Sequence, residues 1–132
     1  MKVLTIKQPW ATLIMQGVKR YEFRSWNTKL RGEFLIHAGK GVDKEAVERL
    51  KKYLPEDELP LGKILGKATL TDCIAMNGNF AKELAQENND IYTTHSFSRN
   101  YAFKLENIEE LDKPIEAKGQ LGFWNYELKI DE

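Results

Sequence analysis

Residues 17–26 read GVKRYEFRSW, and this stretch decides the fold that the sequence predicts. Gly17 supplies the left-handed backbone conformation that ends a preceding helix. After it, the aromatic residues Tyr21 and Phe23 alternate with charged residues, which is the period of two of a strand with one apolar and one polar face. The stretch therefore predicts a helix, a glycine stop and a strand in succession.

The polar face of this strand carries candidate binding groups. Glu22, Arg24 and Trp26 are two residues apart, so we expect them to project from the same face. Arg24 offers a planar set of donors for phosphate or a base edge, and Trp26 offers a ring on which an unstacked base can lie. Lys19 is expected to reach the same cleft from its rim. The alternative is a surface ion pair between Glu22 and Arg24, with Trp26 in the core.

Short strands and a few helices, in no regular alternation, are predicted for the rest of the chain. Apolar runs predict strands near residues 3–6, 33–38, 62–76, 101–105 and 124–130. Helical spacing follows Pro9, begins again at Asp43 and is found around Leu84. Gly39 and Gly41 indicate a loop. This pattern favours an α+β fold, a small β-barrel of about six strands with two or three flanking helices.

The composition is that of an ordinary globular chain. Its 132 residues are 42% hydrophobic and 30% charged, and they fit one domain, which we expect to span residues 1–132. Twenty basic residues balance twenty acidic ones, yet residues 1–52 hold 12 of the basic and only 5 of the acidic residues. This asymmetry gives a local positive field that an anionic partner would experience at short range.

The sequence contains no pattern that indicates a membrane span, a metal site or a cofactor site. The apolar runs fall far short of the roughly 20 residues that span a bilayer, and no signal peptide is found, so a cytoplasmic protein is expected. One cysteine, Cys73, and two histidines, His37 and His95, give no zinc spacing. His37 lies in an apolar run and is interpreted as a hydrogen-bonded core residue. We therefore expect no metal, no cofactor and no membrane partner, and a monomer.

Three N-terminal motifs together resemble the ASCH domain, a branch of the PUA-like barrels. They are Lys7-Gln-Pro-Trp-Ala11, Gly17-x-Lys-x-x-Glu-x-Arg24 and Ser25-Trp26. The resemblance is greatest to the type found in the transcription coactivator for which the family is named. It implies a six-stranded PUA-like barrel whose cleft binds RNA, another nucleic acid or a nucleotide. The cleft residues that the motifs imply are Trp10, Gly17, Lys19, Glu22, Arg24 and Trp26.

An enzymatic alternative follows from the same resemblance. One ASCH branch hydrolyses the acetyl amide of acetylated cytidine with a lysine, a threonine three residues later and a downstream acid, and other members are ribonucleases. Lys19, Glu22 and Asp72 would be the catalytic residues here, although Glu22 stands where that branch has threonine. Asp72 shares a face with apolar residues of its strand and is expected to be partly desolvated, or else to cap a turn or fix Arg24. The stretch from Tyr92 to Arg99 is either a plain loop or a lid.

Overall fold

The computed structural model describes residues 1–92 and 101–127. In this part of the chain six strands form one sheet, accompanied by three α-helices. The strands are β1 (Lys2–Gln8), β2 (Tyr21–Arg24), β3 (Gly32–Val42), β4 (Lys63–Ala75), β5 (Tyr101–Glu116) and β6 (Phe123–Asn125). The helices are α1 (Trp10–Met15), α2 (Lys44–Arg49) and α3 (Gly78–Glu87), and a 3-10 turn covers Lys51–Tyr53. The predicted α+β class is confirmed.

The sheet has the strand order β2-β5-β4-β3-β1-β6, with β1 and β3 parallel and the other pairs antiparallel. Its end strands, β2 and β6, are not hydrogen-bonded to each other in the described residues. The sheet curls instead, and aromatic rings join its ends. Trp26, just after β2, lies 5.7 Å from Phe123 of β6 and 5.2 Å from Phe103 of β5, measured between ring centroids. Side-chain packing therefore completes the barrel-like shape.

Helix α1 lies between two parts of the hydrophobic core. Ile14 packs with the cluster inside the curled sheet, whereas Leu13 packs with a second cluster that also contains Tyr92 and Leu84 of α3. Full burial of such a side chain stabilises the fold by about 1.5–3 kcal/mol. Trp10, at the start of α1, packs against both clusters and is thereby fixed in orientation.

Strands β3 and β5 are longer than the sequence pattern predicts, with 11 and 16 residues, whereas the 13 residues of β4 lie within the predicted range. The apolar runs of β3 and β5 cover only the buried portions of these strands, and the exposed portions carry no apolar period to reveal them. Strand β3 continues through Gly39 and Gly41, so the loop predicted there is wrong. The C-terminal strand is described over Phe123–Asn125 only, and its predicted continuation after residue 127 lies outside the described residues.

Gly66 of β4 lies in close contact with β5 and with the end of α1. A Cβ atom at this position would overlap the carbonyl oxygen of Glu109 and the Cε of Met15. We expect Gly66→Ala to lower the free energy of unfolding by about 1–3 kcal/mol, because the backbone of β5 has to move. Urea unfolding measures the change, and Gly78→Ala is the matched control, since a Cβ there meets nothing within 4 Å. An unchanged midpoint for Gly66→Ala would refute this packing argument.

Candidate functional site

A tight turn after α1 sets the position of Lys19. Gly17 has a φ of +77°, a conformation that favours glycine. The backbone amides of Val18 and Lys19 then both donate to the carbonyl of Leu13, at 3.0 and 3.1 Å. Gly17 itself does not line the cleft described below, so it acts on the backbone rather than as the ligand contact that the motif implies.

Tyr92 supports the start of β2 from behind. Its hydroxyl accepts a hydrogen bond from the backbone amide of Arg20 at 2.7 Å, and its ring packs edge-on against Tyr21 and Phe23. Burial raises the pKa of Tyr92 to about 12, so the hydroxyl stays protonated at neutral pH. The face of β2 opposite the charged residues is thus held by aromatic packing, as the sequence predicts.

Lys19, Glu22 and Arg24 form one hydrogen-bonded network. Lys19 Nζ donates to Glu22 Oε1 at 2.9 Å, and Arg24 donates to Glu22 Oε2 through Nε at 3.1 Å and Nη2 at 2.8 Å. Arg24 Nη2 also donates to the carbonyl of Thr5 on β1 at 2.8 Å. The side chains are 5%, 8% and 21% exposed, so this is a mostly buried network and not the surface ion pair of the alternative interpretation.

Two opposing effects set the protonation of Glu22. Burial alone would raise its pKa, but the charges of Lys19 and Arg24 and their hydrogen bonds outweigh burial, so the pKa of Glu22 lies below its ordinary value. Glu22 is therefore ionised at neutral pH. Two cations and one anion leave the network with a net positive charge.

The ammonium of Lys19 also lies against two aromatic rings. Its Nζ is 4.7 Å from the ring centroid of Trp10 and 5.5 Å from that of Phe23. Both distances fall within the range of cation–π attraction. Trp10, Lys19, Glu22 and Arg24 are thus brought together, as the sequence predicts.

These four residues line an open cavity of about 790 Å³, which we call the cleft. Its other walls come from β1, from the Gly39–Gly41 part of β3, from α2 and from residues 120–122. Five basic and three acidic side chains face it. The basic residues are Lys7, Lys19, Arg24, Lys40 and Arg49. The volume is typical of a site for a small organic ligand.

Several cleft residues cannot be found from motif spacing. Lys7, Lys40 and Arg49 belong to the basic excess of residues 1–52, which was the available signal, but no local pattern brings them together. Gln120 comes from the far end of the chain. The pairing of β1 with both β3 and β6 brings the segments of Lys7, Lys40 and Gln120 to one place.

Two predicted site residues lie elsewhere. Trp26 packs in the core against Phe103 and Phe123 and does not line the cleft. Asp72 is not desolvated: its side chain is 56% exposed, and its Oδ1 lies 3.8 Å from Arg31 and accepts from the amide of Cys73. Because Asp72 is absent from the cleft walls, the three groups of the hydrolytic alternative are not assembled.

His37 is a satisfied core residue, as the sequence predicts. Its Nε2 donates to the carbonyl of Ala117 at 2.6 Å, and its Nδ1 lies 3.2 Å from Thr5 Oγ1. Thr5 Oγ1 in turn accepts from the indole of Trp124 at 3.0 Å. Because a carbonyl oxygen only accepts, Nε2 carries a hydrogen. The network fixes the chain after β5 onto β1 and β3.

Other expectations concern metals, membranes and the loop after Tyr92. Within residues 1–92 and 101–127, no group of three or more His, Cys, Asp or Glu residues could hold a metal ion. No helix in the same residues is long and apolar enough to cross a membrane. His95 and Arg99 lie outside the described residues, as does nearly all of the stretch interpreted as a loop or a lid.

The curled six-stranded sheet and its accompanying helices define a small α+β fold of the barrel-like class. The sequence profile of the ASCH domain matches residues 4–115, and the chain belongs to this family. The resemblance seen in the N-terminal motifs is confirmed.

Two curated relatives are activating signal cointegrator 1 of Mus musculus and of Homo sapiens. Each is 30% identical to this chain over 140 residues, an alignment that covers 98% of this chain and 23% of the relative. The chain therefore spans about a quarter of the length of these curated relatives.

Among solved structures, the ASCH protein of Zymomonas mobilis has a similar fold. It gives a TM-score of 0.56 at 17% identity, over 87% of this chain and 72% of that chain. A single-residue mutant of the same protein gives a TM-score of 0.55 at 17% identity, over 87% of this chain and 74% of that chain. At this identity the likeness supports the fold alone.

Proposed function

We propose that the chain binds single-stranded RNA, or a nucleotide of the same chemistry, in the cleft. The observation that carries this proposal is the Lys19–Glu22–Arg24 network, in which two cations and one anion are mostly withdrawn from water at the wall of an open cavity. A ligand with anionic or electron-rich oxygens would complete the solvation of this net positive charge. Phosphate oxygens and base carbonyls both have such oxygens.

Glu22 determines which protein atoms are available to the ligand. Both of its carboxylate oxygens accept from Lys19 and Arg24, so they are engaged within the protein. An ammonium carries three donors and a guanidinium five, and the remaining N–H groups of Lys19 and Arg24 are available to the ligand. The cleft therefore favours acceptor atoms, while Trp10 offers an aromatic surface for a base.

The charge around the cleft favours a polyanion although the whole chain has no net charge. Five basic and three acidic side chains line the cavity, and Lys7 and Lys40 lie on the β1 and β3 side. Clefts lined by one excess sign of charge concentrate ligands of the opposite sign. The membership of the chain in the ASCH family adds to this support, because members of the family are thought to bind RNA.

Binding, rather than hydrolysis, is the better supported function. Hydrolysis of an acetylated cytidine requires a proton carrier besides Lys19 and Glu22, and the predicted third group, Asp72, is exposed and paired near Arg31. The Nζ of Lys19 and the carboxylate of Glu22 are hydrogen-bonded to each other, an arrangement that suits fixed donors for a bound ligand.

The salt dependence of RNA affinity tests the proposal. If about three phosphates are neutralised, the affinity for a fluorescent single-stranded RNA should fall roughly 20-fold between about 50 and 200 mM KCl. Lys40→Ala removes one cation at the rim of the cleft and should reduce the slope of log affinity against log salt by about 0.7. Fluorescence anisotropy titrations at several salt concentrations give both quantities.

Lys113→Ala is the matched control, because it removes the same charge from an exposed position of β5 outside the cleft. It should leave the affinity and the slope unchanged. Affinity that does not depend on salt, or no binding to any RNA or DNA, would refute the proposed function.

A further inference from the structure

A second cavity of about 780 Å³ lies directly beside the cleft. The two cavities share lining residues, so they are separated by a common wall and are not two remote sites. The shared residues are Thr5, Gly39, Lys40, Gln120 and Leu121. A ligand that fills one cavity can therefore continue over this wall into the other.

A bulge in β3 forms one side of the common wall. Ile6 pairs with Ala38 and Gln8 with Val42, so the three residues Gly39–Gly41 lie opposite the single residue Lys7. Such bulges are common next to functional sites because they redirect side chains and backbone. Here the bulge brings Lys40 to the rim of both cavities.

Residues 117–122 form the other side. Ala117 accepts from His37, and a Cβ at Gly119 would lie only 3.0 Å from Thr5 and 3.1 Å from His37, so this segment packs directly on that pair. His37 and Thr5 have hydrogen-bond partners within the protein. The contacts available to a ligand in the second cavity therefore come from its rim, which carries two basic residues, Lys40 and Lys118, and one acidic residue, Glu116.

Leu121 is the most unusual residue of this rim. It is 98% exposed and lines both cavities, and Leu61, which is 40% exposed, lines the second one. A single exposed leucine is common on protein surfaces. Two exposed leucines beside two lysines, at the continuation of a basic cleft, offer apolar contact to an unstacked base and positive charge to its phosphate.

We infer that the ligand is a single-stranded oligonucleotide that spans both cavities. One nucleotide occupies the cleft beside Lys19 and Trp10, and the backbone crosses the wall at Lys40. The next base packs against Leu61 and Leu121, with Lys118 near its phosphate. This inference rests on the proposed function and specifies its ligand as longer than one nucleotide.

The test compares ligands of different length by calorimetry. The probes are the four ribonucleoside monophosphates, a mixed-sequence RNA tetranucleotide and its DNA counterpart. Of the RNA and DNA tetranucleotides, the one with the higher affinity should bind about tenfold more tightly than the best monophosphate. It adds a base contact and phosphate contacts that a monophosphate lacks. The double variant Leu61→Ser, Lys118→Ala changes two residues that line the second cavity and not the cleft, so it should lose most of that gain and keep the affinity for the monophosphate. Leu61→Met, which stays apolar, should keep the gain.

The outcomes separate the two proposals. Tetranucleotides that bind no better than a monophosphate would overturn the inference and leave the proposed function standing. A double variant that weakens monophosphate binding equally would also overturn it, because the second cavity would then not hold a separate nucleotide. Failure of every probe to bind would refute the proposed function and the inference together. Leu61 and Lys118 are both exposed, so their substitution tests contact with the ligand and not folding.

Discussion

Replacement of Glu22 by alanine is expected to lower the free energy of unfolding by roughly 3–5 kcal/mol, because it leaves two largely buried cations without their carboxylate. Lys19 and Arg24 both donate to Glu22, and their side chains are only 5% and 21% exposed. Urea unfolding of the wild type and of Glu22→Ala at neutral pH measures the loss. Glu48→Ala, at an exposed position of α2, is the control and should change stability by less than about 0.5 kcal/mol.

The pH dependence of Glu22→Gln separates the charge of Glu22 from its packing. The pKa of Glu22 is lowered by folding, since Lys19 and Arg24 outweigh the effect of burial. The stability due to its charge is therefore complete above its unfolded pKa of about 4.3 and declines as the pH falls through the lower folded pKa. The stability difference between wild type and Glu22→Gln should shrink below about pH 4. A difference that widens on acidification would contradict this account.

Simultaneous replacement of the network by apolar residues should abolish binding without unfolding the protein. In the triple variant Lys19→Met, Glu22→Leu, Arg24→Met, no buried charge is left unpaired, and such replacements are often neutral or stabilising. The variant should therefore be markedly more stable than Glu22→Ala. Its RNA affinity should fall at least about 100-fold, because each charged donor contributes about 1.5–3 kcal/mol and 1.4 kcal/mol is tenfold.

Urea unfolding and anisotropy titrations on the same preparations check both parts of this expectation. Lys113→Ala again controls for a simple change in net charge. Retained RNA affinity in a folded triple variant would show that the network is a structural feature only. A triple variant as unstable as Glu22→Ala would contradict the view that the buried charges are not required for stability.

The sequence predicts the centre of the site well because local geometry governs it. The turn at Gly17 and the alternation of β2 determine that Lys19, Glu22 and Arg24 face one way, and both are local properties. The alternation does not predict the position of Trp26, because β2 ends at Arg24 and the period of two no longer applies beyond that residue.

The prediction that Asp72 shares an apolar face of its strand fails for a related reason. The ladder between β4 and β5 shifts register between Leu70 and Asp72, so the two residues do not share a face although they are two apart. A bulge of this kind leaves no mark in the alternation of apolar residues. The sequence does not predict the walls of the cleft, and the reason is different. Lys40 and Gln120 meet only through pairing between strands that are distant in the chain.

The strand order also has a consequence for the way the chain folds. Strand β2 pairs with β5, and β1 pairs with β6, so the sheet joins segments from opposite ends of the sequence. Ordering the long intervening segments costs entropy before these pairings form, and folds dominated by such distant contacts reach the native state in milliseconds to seconds rather than microseconds. The cleft is lined by residues of β1 and β2 and by residues 120–122, which are distant in the chain. During synthesis the walls of the cleft stay incomplete until residues 120–122 have left the ribosome.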